Sequence, residues 1–330
     1  MKIVHVVSSY GLGGLERHVV DLVNELSKKG CDVFLVGDQR YSAELVDNVN
    51  HIPMDFTASR YSLPNLIKLL VILTKINPDI IHSHAGKASY LLRALKPFVS
   101  SKLICTVHGL KKSKQPYSSF DSIIVPSTGV KKHYNFESCH VIYHGLDIGR
   151  NTPKTRATPS TAESVRWVTI GRLEHVKGYD MLLEAFQKVP GHLTLIGDGT
   201  ERQKLKNLAI KLGILDRVTF AGKIPNAAKK LKHYDIAVIS SRREAFSYFF
   251  AESYTANLPI VSTDIPVGNE ILNPSYLAEC NQDSIAEAMT KTLTDYLSEN
   301  YPEYKEMNLF NISNMVDKTL KIYHGLLLKK

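Results

Sequence analysis

Apolar and polar residues follow one another along this chain in two rhythms. One consists of short runs of about five aliphatic or β-branched residues, the other of longer stretches with apolar positions every three to four. Residues 3–7, 32–36, 79–82, 103–107, 121–125 and 140–143 show the first rhythm, and 14–29, 64–76 and 86–95 the second. Such alternation predicts parallel strands joined by right-handed helical crossovers. It lapses at residues 148–164, rich in Thr, Ser, Pro and Arg without an apolar period, which reads as a linker. It then resumes with strands at 166–170, 192–196, 217–221, 235–239 and 259–262 and helices at 179–188, 201–212 and 248–254. A last amphipathic stretch, 309–328, places Ile312, Met315, Val316, Leu320 and Tyr323 at helical spacing.

The expected class is α/β: two doubly wound domains at 1–150 and 165–308, a linker at 151–164, and a C-terminal helix at 309–330 able to pack back on the first domain. Ligands of such sheets bind beyond the carboxyl ends of the strands, so the loops after Val7, Val107, Ile170, Ile196, Ala221, Ser240 and Ser262 are where chemistry is sought. A length of 330 residues fits two cores. The apolar share of 44% with 22% charged residues excludes a disordered chain. Cys31, Cys105, Cys139 and Cys280 lie far apart with no CxxC spacing, which argues against a disulfide framework or zinc knuckle and fits a reducing cytoplasm. The start is too short in apolar residues for a secretory signal, and residues 66–73, interrupted by Lys68, are too few to span a bilayer.

The net charge of +9 points to nucleic acid, an anionic membrane or a polyanionic substrate without choosing among them. Residues 1–150 hold 18 basic and 12 acidic side chains. Within them Lys87, Arg93, Lys96 and Lys102 surround Tyr90, Leu91, Leu92, Pro97 and Phe98, followed by Lys111, Lys112 and Lys114. That pattern suits an anionic membrane face, or equally a crossover helix with a solvated basic side. No aromatic–basic RNA motif, zinc finger or basic zipper is present, so nucleic acid is not the expected partner.

Three loops can carry anion chemistry. Residues 8–17, with Gly11, Gly13 and Gly14 feeding a helix, suit a phosphate or an ordinary tight βα turn. A dinucleotide fingerprint would need a small residue where Glu16 stands, although Asp38 ends the second strand. Residues 171–178 hold Arg172 and Lys177 beside glycines just after a strand, a bidentate grip and a compact charge for phosphate. Residues 240–254 run from a strand end into a helix, with Glu244 in the loop and Glu252 about one turn, roughly 5 to 6 Å, into the helix. A carboxylate accepts two hydrogen bonds, as vicinal hydroxyls require, so the two can hold a ribose diol and a hexose diol across a diphosphate. Two surface glutamates are the plain alternative.

Taken in order, Gly13-Gly14-Leu-Glu16-Arg17, Thr106-Val-His108-Gly109, Gly171-Arg172-Leu with Lys177-Gly178, Gly197-Asp-Gly199 and Glu244-x7-Glu252 resemble retaining glycosyltransferases of family 4 over nearly the whole chain. The resemblance implies the GT-B fold, two Rossmann-like domains facing a central cleft. It implies that Arg172 and Lys177 neutralise a donor diphosphate, that Glu252 holds the ribose and Glu244 the donor sugar, and that Gly13 and Gly14 admit the phosphates. By the same resemblance His108 stands near the donor sugar and the reacting centre, and Gly197, Ile224, Ala245, Phe246, Ser247 and Tyr248 line the donor. Glu16, Arg17 and His84 are weaker candidates for the acceptor. The implied activity is metal-independent, retaining transfer of a hexose or N-acetylhexosamine from a nucleotide sugar, with UDP the expected carrier. The implied acceptor is an anionic or lipid-linked bacterial surface glycan such as lipopolysaccharide core, reached from the cytoplasmic membrane face.

No resident cofactor or metal is expected: no two aspartates stand in a DxD pair, and His82-Ser-His84 reads as polar lining rather than a metal pair. Ala245, Ser247 and Asn257 stand where the family usually has glycine, which bears on the donor pocket. Asn tolerates the left-handed backbone that the last of these positions would need. A nucleotide-sugar epimerase, a non-catalytic sugar-nucleotide sensor and a nucleic-acid-binding protein are the alternatives.

Overall fold

The computed structural model describes residues 1–9, 11, 13–110, 117–147, 159–306 and 308–328, so Lys111, Lys112, Lys114 and most of the linker lie outside the described residues. The chain divides into two compact units, Met1–Gly145 with Asn311–Lys330, and Leu146–Phe310.

The first unit contains β1 (Lys2–Val7), α1 (Gly14–Lys28), β2 (Asp32–Gly37), β3 (Val49–Pro53), α2 (Leu63–Ile76), β4 (Ile80–His84), α3 (Ala85–Leu95), β5 (Lys102–Thr106), β6 (Ser122–Val125), α4 (Thr128–Tyr134) and β7 (Cys139–Val141). The strands form a parallel sheet in the order β3-β2-β1-β4-β5-β6-β7. Because both faces are covered, β1 and β4 are buried along almost their whole length. That makes the histidines among them conspicuous. Register pairs His5 with His82 and Val7 with His84, at the point where the strand order reverses.

The second unit contains β8 (Arg166–Ile170), α5 (Tyr179–Phe186), β9 (His192–Ile196), α6 (Arg202–Lys211), β10 (Val218–Gly222), β11 (Ile236–Ile239), α7 (Tyr248–Thr255), β12 (Ile260–Thr263), α8 (Pro266–Ile271), β13 (Leu277–Ala278) and α9 (Gln282–Leu297). Its parallel sheet runs β10-β9-β8-β11-β12-β13. Asp235 fastens the start of β8, accepting from the Arg166 backbone N–H at 2.9 Å and from Arg166 Nε and Nη2 at 2.9 and 3.0 Å. The last helix, α10 (Ile312–Leu328), belongs to the first unit, where Met315, Val316 and Tyr323 share a core with Val19, Val23 and Leu26 of α1.

Five elements have no counterpart in the hydrophobic pattern, two of them the short α8 and β13. β3 is a short edge strand ending in Pro53, a residue tolerated at a sheet edge because it needs no ladder donor there. α4 spans two turns only. α9 buries Ile285, Ala286, Ala288, Met289, Thr292 and Tyr296, so much of its inward stripe is Ala and Thr and reads as weakly apolar. Its start is nonetheless marked by Asn281, whose side chain accepts from the Ser284 N–H at 2.9 Å.

Of the residues expected to form a membrane face around α3, Phe98 is exposed and others are not. Leu91 and Leu92 are core residues, and Lys87 and Lys96 direct their ammonium groups to the backbone carbonyls of Phe56 and Ser119. Further exposed apolar side chains lie on α2, where Leu63, Ile67 and Val71 recur every four residues beside Tyr61. Among the described residues no helix is long and apolar enough to cross a membrane.

Candidate functional site

In the second unit the strand order reverses between β8 and β11, and the loops leaving these strands are tied together. Arg242 clamps Asp180 with two bonds of 2.7 Å and donates to the His175 carbonyl at 2.8 Å, while the Arg242 N–H donates to the Val176 carbonyl at 2.8 Å. Burial works against the charge on Asp180, yet the Arg242 hydrogen bonds hold its carboxyl below the ordinary range. Ser240 Oγ donates to the Lys177 carbonyl at 2.8 Å. This contact requires Gly178: its φ is +66°, and a Cβ would stand 2.1 Å from the Ser240 carbonyl oxygen. The loop after β9 joins the cluster through Gly197, whose φ is +144° and whose Cβ would fall 1.9 Å from the Gly171 oxygen. The Leu173 N–H donates to the Asp198 carbonyl at 3.0 Å, and the Gly197 N–H to Gly222 at 2.8 Å, two residues before half-buried Ile224.

Lys177 and Glu244 meet on this frame. Lys177 Nζ lies 2.5 Å from Glu244 Oε1, and both side chains are largely buried. Glu244 Oε2 is buried with no hydrogen-bond partner among the described residues. An unmatched carboxylate oxygen costs on the order of 1 to 3 kcal/mol or more, so this one is an acceptor held ready. Arg172 is exposed, and its side chain makes no hydrogen bond or ion pair with another described residue. α7 starts at Tyr248, capped by Ser247, whose hydroxyl accepts from the Phe250 N–H at 3.2 Å. Glu252 is buried one turn further along. Ala245 is buried in the connecting loop, and Phe246 packs edge-on against Tyr248 with centroids 5.6 Å apart. Asn257, at the end of α7, has a φ of 56°, left-handed backbone that its short polar side chain accommodates.

The second unit thus brings Arg172, Lys177, Gly197, Glu244, Ala245, Phe246, Ser247, Tyr248 and Glu252 onto neighbouring loops after β8, β9 and β11. The arrangement offers cationic groups and a helix N-terminus to an anion, with carboxylates on either side for hydroxyl groups.

The first unit uses its candidates differently. Gly13 caps α1 in extended backbone, and Glu16 turns back so that Oε2 accepts from the Gly13 N–H at 2.9 Å while Oε1 meets Ser9 Oγ. Both oxygens of Glu16 are therefore engaged in shaping the loop around Gly13 and Gly14, and the residue is buried. Asp38 is likewise occupied, accepting from the Arg40 N–H and Nε at 3.0 and 2.7 Å. Arg17 Nε lies 3.7 Å from Asp21. His84, a candidate for the acceptor, is fully buried.

Sequence reasoning missed what surrounds His84. His5, His18, His82, His84 and His144 are buried and His108 is half-buried at their edge. Ring centroids are 4.4 Å apart for His82 and His84, 4.9 Å for His18 and His108, and 4.2 Å for His18 and His144. Burial lowers the pKa of His5, with help from His18, and that of His18 to about 3; His82, His84, His108 and His144 are also pushed well below the usual value, first by burial and then by one another. Near neutral pH the cluster is uncharged. The available signal was positional: His5, His82, His84, His108 and His144 all stand near the carboxyl ends of parallel strands.

Residues 12–150 match the family profile "Glycosyltransferase Family 4" and residues 154–308 match "Glycosyl transferases group 1". The chain is 30% identical over 279 residues, 80% of its length and 79% of the relative's, to the lipopolysaccharide core biosynthesis glycosyltransferase LpsE of Rhizobium meliloti (strain 1021). Its fold matches a glycosyltransferase from Rickettsia africae ESF-5 (TM-score 0.83, 20% identity, 100% and 99% of the two chains). It also matches Anabaena Alr3699/HepE in complex with UDP (TM-score 0.81, 17% identity, 98% and 100%). Two Rossmann-like parallel sheets and these matches across both halves make the chain a member of the family 4 and group 1 glycosyltransferases, an enzyme with the GT-B fold.

Proposed function

We propose that this glycosyltransferase moves a hexose or N-acetylhexosamine from a nucleoside diphosphate sugar to a bacterial surface glycan, with retention of configuration and without a metal on the diphosphate. The observation that carries the reading is Glu244: one carboxylate oxygen bound to Lys177, the other buried and unpartnered. Arg172 and Lys177 neutralise the diphosphate, Glu244 Oε2 accepts from hydroxyls of the donor sugar, and Glu252 accepts from the ribose diol. The start of α7 adds the positive end of its helix dipole. UDP is the carrier favoured by the likeness to the UDP complex of Alr3699/HepE.

In the transfer step the bond from the anomeric carbon to the diphosphate oxygen breaks, and its electron pair leaves with the diphosphate. The acceptor oxygen attacks the same face while its proton passes to a diphosphate oxygen, which preserves configuration without a protein nucleophile. Arg172 and Lys177 stabilise the charge that develops on the leaving group, and His108 stands as a neutral imidazole beside the acceptor. The lipopolysaccharide-core assignment of LpsE favours a core or lipid-linked glycan as acceptor. The apolar stripe on α2 is the face that meets the bilayer.

Thermal-shift screening against UDP, GDP, ADP and CMP and their sugars tests the donor, because a ligand bound only by the folded state raises the midpoint. UDP and a UDP-sugar are expected to raise it most. The reading fails if no nucleotide shifts it, and donor turnover without an acceptor would replace transfer by epimerisation.

A further inference from the structure

The histidine cluster of the first unit has no part in donor binding as derived above, and its geometry is specific. His82 is fully committed: Nδ1 lies 2.5 Å from the Tyr323 hydroxyl and Nε2 2.7 Å from Thr106 Oγ1. His18 is the opposite case. It is 3% exposed, and neither ring nitrogen has a hydrogen-bond partner among the described residues. A buried imidazole with both nitrogens unmatched is costly unless something fills the gap.

What fills it is indicated by its neighbours. His84 Nδ1 and His108 Nε2 face each other at 3.3 Å. Two nitrogens bound to one tetrahedral zinc ion at about 2.0 to 2.1 Å stand roughly 3.3 to 3.4 Å apart, so the spacing is that of a shared ion as well as that of a hydrogen bond. Ligand nitrogens of His18, His84 and His108 all lie within 4.8 Å of one another. The other nitrogen of His84, Nε2, is 3.0 Å from His5 Nδ1. With Nε2–H donating to His5, the lone pair of Nδ1 points toward His18 and His108, the outer-shell arrangement that fixes the tautomer of metal-binding histidines.

We propose that His18, His84 and His108 bind one divalent transition metal of the zinc class, with His5 orienting His84. Three imidazoles and no carboxylate select zinc, cobalt, nickel or copper over magnesium or calcium, which require oxygen ligands. Every ligand comes from the first unit: α1, the end of β4 and the residues after β5. Burial already keeps these imidazoles neutral, so binding near pH 7 displaces no proton from them. Half-buried His108 is the most exposed of the three ligands. Occupancy engages His108 Nε2, and zinc is therefore an inhibitor of transfer if His108 has the role given to it above.

The test uses the full, untagged, chelator-treated chain. Titration with zinc by calorimetry and with cobalt by visible absorption is expected to show one saturable equivalent and the intense bands of tetrahedral cobalt, with no response to magnesium. His18→Ala should weaken zinc binding more than about 100-fold. His18→Cys should keep binding and add a thiolate-to-cobalt charge-transfer band, a signature that packing alone cannot produce. His324→Ala, at an exposed histidine of α10, should change nothing. The proposal is overturned if the parent chain takes up neither metal stoichiometrically, or if folded His18→Ala and His18→Cys chains bind zinc and cobalt just as the parent does. These readouts require no sugar transfer, so failure of the metal site and failure of the donor assignment are separable.

Discussion

Replacing Glu244 by Gln keeps the size of the side chain and removes its charge. In the parent, Oε1 is bonded to Lys177 at 2.5 Å and Oε2 is buried without a partner. A hydrogen bond from a donor hydroxyl to an ionised oxygen contributes about 1.5 to 3 kcal/mol, so its loss corresponds to roughly 10- to 150-fold in kcat/KM. UDP lacks the sugar, and its affinity should stay near that of the parent because Arg172 and Lys177 remain. Arg172→Ala makes the contrast, weakening UDP and UDP-sugar together. The assay pairs calorimetric titration of UDP and UDP-sugar with initial rates of transfer. A fall in kcat with KM unchanged would place the Glu244 contact in the transition state, whereas a rise in KM alone would place it already in the bound donor. Undiminished kcat/KM for Glu244→Gln, or equal loss of UDP and UDP-sugar binding, would refute the reasoning.

Further outcomes follow from the same coordinates. Gly197→Ala puts a Cβ 1.9 Å from the Gly171 oxygen at a φ of +144°, and a loss of at least about 2 kcal/mol in denaturant stability is expected; an unchanged midpoint would contradict the close approach. In chelator-treated protein His5 and His18 titrate near pH 3 when folded and near 6.5 when unfolded. The unfolded chain thus takes up protons first, stability is full above about pH 6.5 and falls as the pH drops, and by pH 5 each residue costs about 2 kcal/mol. A urea midpoint flat between pH 7.5 and 5 would show these rings to be solvated. Ile67→Glu with Val71→Glu on the exposed face of α2 should reduce flotation with anionic liposomes, and equal recovery of parent and variant would remove that face from membrane contact.

The order of strands and helices was legible because parallel strands buried on both faces must be apolar, and crossover helices must present one apolar stripe. The meeting of the loops after β8 and β11 was legible for a related reason. Arg172, Lys177 and Glu244 each follow a strand end, and the sheet brings such ends together. Elements without a strong period escaped: β3 at an edge, short α4, and α9 with its Ala and Thr inward positions.

Side-chain commitment was not legible at all. Nothing in the spacing shows that both oxygens of Glu16 are engaged by the loop it caps, or that Leu91 and Leu92 face the core while Leu63, Ile67 and Val71 face outward. The histidines make the division plainest. Composition gives thirteen of them scattered over the chain, and local motifs single out only His82, His84 and His108. Adjacency of β1 and β4 sets His5 beside His82, the turn of α1 lowers His18 over His84, and the strand ends supply His108 and His144. Local interactions write secondary structure into the sequence, but proximity between residues 18, 84 and 108 arises only when the sheet assembles, and with it the burial that holds their rings neutral.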